Sequence, residues 1–191
     1  HATFQDAQSD FVTLLNIWHR YHSHRQKVKS NNQMKRFCRE HFLSFMRMRE
    51  WRDIHHQISD ILKEHGIRPP AHRGLRLCPG GNGGVGRRKA EGERGRGDAE
   101  FEAIHKSVLS GFLSNIAQKK DNNIYRATKG REVMIFPGSG LFKKAKNWIV
   151  AEEMMETSRL FARTVANIDS DWLEELGGDL CRRTYLDPHW E

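Results

Sequence analysis

"NIYRATKGREVMIFPGSGLFKKAKNWIVAEEMMETSRLFARTVANI", residues 123–168, decides the fold. Four short runs rich in β-branched and aromatic residues stand out in it: "NIYRAT", "REVMIF", "NWIVAEEMM" and "SRLFARTVANI". Turn residues separate them, with "PGSG" after Phe136 and "KKAKN" before Trp148. In the last run Leu160, Ala162, Thr164 and Ala166 alternate with Phe161, Arg163, Val165 and Asn167, which is the two-residue period of a strand. Downstream, "SDWLEELGGDL" reads as a short helix with Asp169 or Ser170 as cap, acids in its first turn and Gly177-Gly178 at its end.

Four or five strands and a helix within so short a stretch suit a small closed or partly open barrel of the OB kind. What precedes it is helical. "SDFVTLLNIWHRYH" can be capped by Ser9 or Asp10 and sets Phe11, Leu14, Leu15 and Trp18 on one apolar face. After "KSNNQ", Leu43, Met46, Trp51, Ile54, Ile58, Ile61 and Leu62 repeat that spacing until Gly66 and Pro69-Pro70 stop it. "FEAIHKSVLSGFLSNIA" keeps the same periodicity from Phe101 to Ile116.

The expected class is therefore α+β: an N-terminal helical bundle, then a small OB-like β-barrel with a short C-terminal helix. The boundaries predicted are a bundle over 1–67, a Gly/Arg-rich flexible insertion over 68–98, a helix over 99–118 completing the bundle, a barrel over 119–180, and a C-terminal extension beginning at 181–191. The insertion holds nine of the sixteen glycines and eight Arg or Lys, too little apolar surface to offset the entropy of ordering it. Starting at His1 and stopping at "LDPHWE", the chain reads as a piece of a longer one.

Charge points to the class of partner. The 191 residues carry a net charge of +8, and between residues 20 and 52 ten Lys or Arg face only Glu40 and Glu50. A surface so biased attracts polyanions such as nucleic acid, the ribosome or acidic lipid. Cys38, Cys78 and Cys181 are far apart and lack C-x-x-C pairing, so no disulfide framework or zinc knuckle is indicated and a cytoplasmic location is expected. With no long apolar run, membrane is not an expected partner.

Catalytic and cofactor motifs fail on their flanks. Gly81, Gly83 and Gly86 form G-x-G-x-x-G, but no buried strand leads into them and no helix begins at the third glycine. Arg87-Arg88 stand where a P-loop needs lysine and a hydroxyl. "PGSG" at Ser139 is not a nucleophile elbow, and His19, His22, His24, His55 and His56 lack the carboxylate or thiolate that would complete a metal set. No catalytic residue, metal site or cofactor is assigned to this chain.

The informative constellation lies between residues 127 and 150. Lys129, Arg131, Lys143, Lys144 and Lys146 interleave with Phe136, Phe142 and Trp148, with Glu132 the one acid. Cations follow phosphates and rings stack on bases, which is how single strands are held. Phe136, Phe142 and Trp148 also suit the barrel core.

"FPGSGLFKK", Trp148 entering a strand, Glu153 to Arg163 as E-x-x-E-T-S-R-x-x-x-R, and Ile168 to Leu173 as I-D-x-x-W-L together resemble the OB-fold region of DEAH-box RNA helicases of the bacterial HrpA type. "SDFVTLLNIW", "RFCREHFLSFMRMREWRDIHHQI" and "IHKSVLSGFLSNIA" are similar to that family's helicase-associated, ratchet-like helical domain, and "RRTYLDPHWE" to its C-terminal extension. The resemblance implies an ATP-dependent RNA helicase as parent, with ATP and Mg in RecA-like motor domains that this chain lacks. It implies single-stranded RNA as ligand and the motor domains as partners; the residues expected to grip that strand are Lys129, Arg131, Lys143, Lys144, Lys146, Trp148 and Arg159. The alternative is a protein-interaction module that docks an activating partner or the ribosome.

Overall fold

The computed structural model describes residues 3–67 and 91–180 and divides them into two compact units, residues 3–5 with 13–67 and residues 6–12 with 91–180. The expected extension at 181–191 and most of the Gly/Arg-rich segment, with its glycine motif, lie outside the described residues.

Three helices, α1 (Asp10–Lys27), α2 (Asn31–Glu40) and α3 (Phe45–Glu64), account for the N-terminal part. Serines start the last two: Ser30 accepts from the Asn32 amide and Ser44 from the Arg47 amide, satisfying donors that a helix N-terminus leaves free. Between them Phe42 takes the left-handed conformation that glycine usually fills, and the Leu43 amide closes on the Cys38 carbonyl at 2.7 Å. The first unit's core gathers Phe4, Ile17, Tyr21, Met34, Phe37 and Met48.

Two expected faces are corrected. On α1 Trp18 of the expected face is buried, but with Ile17 and Tyr21 beside it, and Leu14 is 39% exposed. On α3 Met48 is buried and the Trp51 and His55 rings meet Trp18 at 5.0 and 4.9 Å, while Met46, Ile54, Ile58 and Ile61 are exposed. The isoleucines sit roughly a quarter-turn around the helix from Met48, Trp51 and His55, at about 100° per residue. A single periodic reading merged two neighbouring stripes.

The second unit is a closed five-stranded barrel in the order β1-β2-β3-β5-β4, formed by β1 (Ile116–Asp121), β2 (Ile124–Ala127), β3 (Glu132–Ile135), β4 (Trp148–Glu156) and β5 (Leu160–Asn167). All ladders are antiparallel except β3 with β5. Inward residues such as Tyr125, Val133, Ile135, Ile149, Ala162 and Val165 fill it, as strand alternation requires. Helices α4 (Glu91–Gly111) and α5 (Ser170–Gly177) share a further apolar cluster with its outside, built on Leu109, Val150, Ala166, Ile168 and Leu173.

Thus the helix expected to complete the bundle belongs to the barrel unit instead, and it begins at Glu91, inside the segment expected to be insertion. Its apolar stripe finds Val150 and Ala166 on the barrel. It also ends earlier than expected: past Gly111 the chain makes one 3₁₀ turn and enters β1, so Ile116 is a strand residue.

Residues 6–12 complete this unit. Ser9 bridges to Ala166, the Asn167 amide donates to the Gln8 carbonyl at 3.0 Å, and the Asp10 carboxylate accepts from Ser139 Oγ at 2.5 Å and from the Gly140 and Val165 amides at 3.0 Å. Buried His105 joins in: its Nδ1 lies 2.6 Å from the Phe101 carbonyl, which only accepts, so Nδ1 carries the proton. Its Nε2 therefore accepts from Ser9 Oγ at 2.6 Å.

Candidate nucleic-acid interface

The segment 137–147 between β3 and β4 plugs one end of the barrel with Leu141 and Ala145, both buried in the core. Polar side chains from three strands and a turn hold it. Tyr125 Oη donates to the Ala145 and Lys146 carbonyls at 3.2 Å, and Lys119 Nζ donates to the Ala145 carbonyl at 3.2 Å. Asn123 accepts from the Lys143 amide at 3.3 Å, and Asn167 from the Lys146 amide at 2.8 Å.

Because the loop's apolar residues point into the barrel, its cations point out. Lys143, Lys144 and Lys146 are all exposed, and none has a carboxylate partner among the described residues. Lys143 adopts φ 61°, a left-handed turn that lets Leu141 and Ala145 both reach the core, and its Nζ lies 5.4 Å from the Phe142 ring centroid. By contrast Lys120 on neighbouring β1 is neutralised by Glu132, whose carboxyl it holds below the usual range by a hydrogen bond.

The other expected site residues fall elsewhere. Lys129 and Arg131 lie on the β2–β3 connection, at the end of β2 away from Asn123 and the lysine loop, and both are exposed. Trp148 is half-buried and packs in the cluster shared with α4 and α5 rather than among the lysines. Arg159, on the β4–β5 turn, lies with Nη1 3.4 Å from Met134 Sδ. Of the seven residues, three share the loop 137–147, Lys129 and Arg131 share the β2–β3 connection, and Trp148 and Arg159 lie apart from both.

A second group was not assigned from sequence. Phe136 is 41% exposed, meets Phe161 edge-on at 6.0 Å, and has the Arg163 guanidinium 5.3 Å from its ring centroid. The alternation of Leu160 and Ala162 with Phe161 and Arg163 carried the signal, since Ala162 is buried in the core and the other pair must face outward. Ser139, beside Phe136, is committed to Asp10 and Leu141.

No three or more His, Cys, Asp or Glu converge in metal-binding geometry among the described residues, and no described helix is long and apolar enough to cross a membrane.

Residues 104–180 match the family model of the oligonucleotide/oligosaccharide-binding (OB)-fold. Over 192 residues the chain is 37% identical to the ATP-dependent RNA helicase HrpA of Escherichia coli (strain K12), and over 191 residues 36% identical to the HrpA homolog of Haemophilus influenzae. Each alignment covers 100% of this chain but 13% of the relative. The human probable ATP-dependent RNA helicase DHX35 is 25% identical over 178 residues, covering 92% of this chain and 21% of that protein. A closed five-stranded barrel flanked by helices, together with the family match, identifies residues 104–180 as an OB-fold, within a chain that is similar along its whole length to a segment making up 13% of the RNA helicase HrpA.

Proposed function

We propose that this region binds single-stranded RNA on behalf of a DEAH-box helicase whose motor domains, with their ATP and magnesium, lie elsewhere in the cytoplasmic parent. The observation that carries the reading is the loop 137–147: three exposed lysines without acid partners among the described residues, on a backbone tied to the barrel by Tyr125, Asn123 and Asn167. Cations presented in fixed positions attract a phosphate backbone and release its counterions.

Titrating a labelled oligoribonucleotide at several salt concentrations tests this. Each lysine that neutralises a phosphate contributes about 0.7 to the slope of log affinity against log salt on a single strand, so the triple charge reversal of Lys143, Lys144 and Lys146 to Glu should flatten the slope by about 2. Reversal of Lys129 and Arg131, at the far end of β2, should change it less. An unchanged slope in the lysine-loop variant would sink the reading.

A second reading, a module for protein contact, is favoured by one observation: Ile54, Ile58 and Ile61 lie exposed along one face of α3. Its occupants would be the parent's motor domains, an activating protein or the ribosome. Replacing these isoleucines with serine should abolish such docking and leave RNA affinity intact.

A further inference from the structure

We propose that Phe136 and Arg163 form a nucleobase-stacking platform, distinct from the phosphate-binding lysines and occupied by a base of the same single strand. This rests on the RNA-binding reading above.

The platform is built rather than incidental. Phe136 is fixed at its backbone on both sides: its amide donates to the Ala162 carbonyl at 3.0 Å and its carbonyl accepts from the Ser139 amide at 3.0 Å. Its ring is fixed by Phe161, edge-on at 6.0 Å, and by Gly138. A Cβ on Gly138 would stand 2.9 Å from Phe136 Cε1, so the ring holds its position only because that residue has no side chain. Yet a ring so held remains 41% exposed.

Arg163 supplies the second plane. Its guanidinium carbon lies 5.3 Å from the Phe136 centroid, and its contact with Glu153 is long, 3.8 Å. A guanidinium backed by an aromatic ring and open to solvent stacks on bases of any sequence. Arg159 adds a second cation beside Met134, which pairs with Phe161 across β3 and β5, and has no carboxylate partner among the described residues. Cationic charge and a planar surface together fit a nucleotide better than an apolar peptide. The segment that begins after Phe136 is the one that carries Lys143, Lys144 and Lys146, so base and phosphate contacts would fall on one stretch of strand.

The test compares two strands of equal length and phosphate number, an oligouridylate and one with abasic ribose at every second position, by fluorescence anisotropy with the full 191-residue chain. The wild type should prefer the base-bearing strand by roughly 5-fold or more, the worth of a single stacked base. Phe136→Leu, and independently Gly138→Ala, which moves the ring without removing it, should bring that ratio close to one while leaving abasic-strand affinity and the salt slope unchanged. Arg163→Lys, which keeps the charge and loses the plane, should also lower it. Thermal unfolding verifies that each variant is folded, and the three act independently should one fail. Equal affinity of the wild type for both strands with a full salt slope would overturn the platform alone and leave Phe136 to packing or protein contact. A base preference that survives all folded variants would overturn it too. Binding of neither strand would remove the lysine reading and this proposal with it.

Discussion

The Asp10 carboxylate, at the start of the first helix, accepts a hydrogen bond of 3.0 Å from the Val165 amide in the last strand of the barrel, 155 residues away. Thr164, beside it, stands at φ 49° and is absent from the pairing of β4 with β5, while Val165 pairs with Ala151 and gives its amide to this carboxylate. The same group accepts from Ser139 and from the Gly140 amide. Asp10→Asn should cost about 1–3 kcal/mol, since an amide nitrogen would face at least one of these donors. Ser139→Ala removes one of these donors and also takes the acceptor from the buried Leu141 amide, which donates to Ser139 Oγ at 3.1 Å, so it too should cost about 1–3 kcal/mol. Urea unfolding of both variants checks this, and wild-type stability in either would contradict it.

That clamp explains why some of the architecture was readable and some was not. Strands β2 to β5 declare themselves through β-branched and aromatic runs, and the lysine loop through charge, because lysine seldom buries whatever the fold. β1, "IAQKKD", does not: Ala117 is its one buried residue, so its sequence looks polar and its pairing with β2 and β4 is long-range information. Asp10 read as a possible helix cap, and its partners lie too far along the chain for any local pattern to join them. Phe136 and Trp148 illustrate the same limit at the site. Both are aromatic residues bordering the same loop, yet one faces solvent and the other packs with Leu109 and Val150, a choice made by where α4 and α5 lie.

His105 makes the barrel unit sensitive to acid. Burial lowers its pKa from the ordinary 6.5, opposed by the hydrogen bond to the Phe101 carbonyl and by the nearby Asp6 charge. The unfolded imidazole takes up its proton near 6.5 and the folded one only at lower pH. Stability from this group is therefore fully present above 6.5, declines as pH falls below it, and stops declining once the folded group protonates as well. Denaturant midpoints at pH 7.5 and 5.5 should fall further for wild type than for His105→Gln. Since the two proteins share every other ionisable group, the difference between them is the quantity to read.

Burial on α3 separates two kinds of apolar residue that the sequence presents alike. Met48→Ala should destabilise the helical unit by about 2–5 kcal/mol, because Met48 is 4% exposed and its removal leaves a cavity among Phe37, Tyr21 and their neighbours. Ile58→Ser, at a position 53% exposed, should stay within about 0.5–1 kcal/mol of wild type. Thermal denaturation of the two variants decides between this arrangement and one in which the isoleucine stripe forms the bundle core. Comparable losses would place the core on the wrong face.

Tyr125 links the barrel core to the lysine loop, and Tyr125→Phe tests that link without touching a charge. Its ring is 1% exposed, its hydroxyl donates to the Ala145 and Lys146 carbonyls, and burial raises its pKa so that it stays a donor well above neutral pH. Removing the hydroxyl should cost about 1 kcal/mol of stability, since the Ala145 carbonyl keeps Lys119 as a partner. The sharper consequence concerns binding. If the loop must be held for its three ammonium groups to act together, RNA affinity should fall several-fold with only a small change in the salt slope, because the charges remain but their spacing loosens. Charge reversal at the lysines predicts the opposite signature, a marked loss of slope. Anisotropy titrations of Tyr125→Phe at three salt concentrations distinguish them, and an affinity equal to wild type at every salt would show that the lysine loop does not depend on this anchorage for binding.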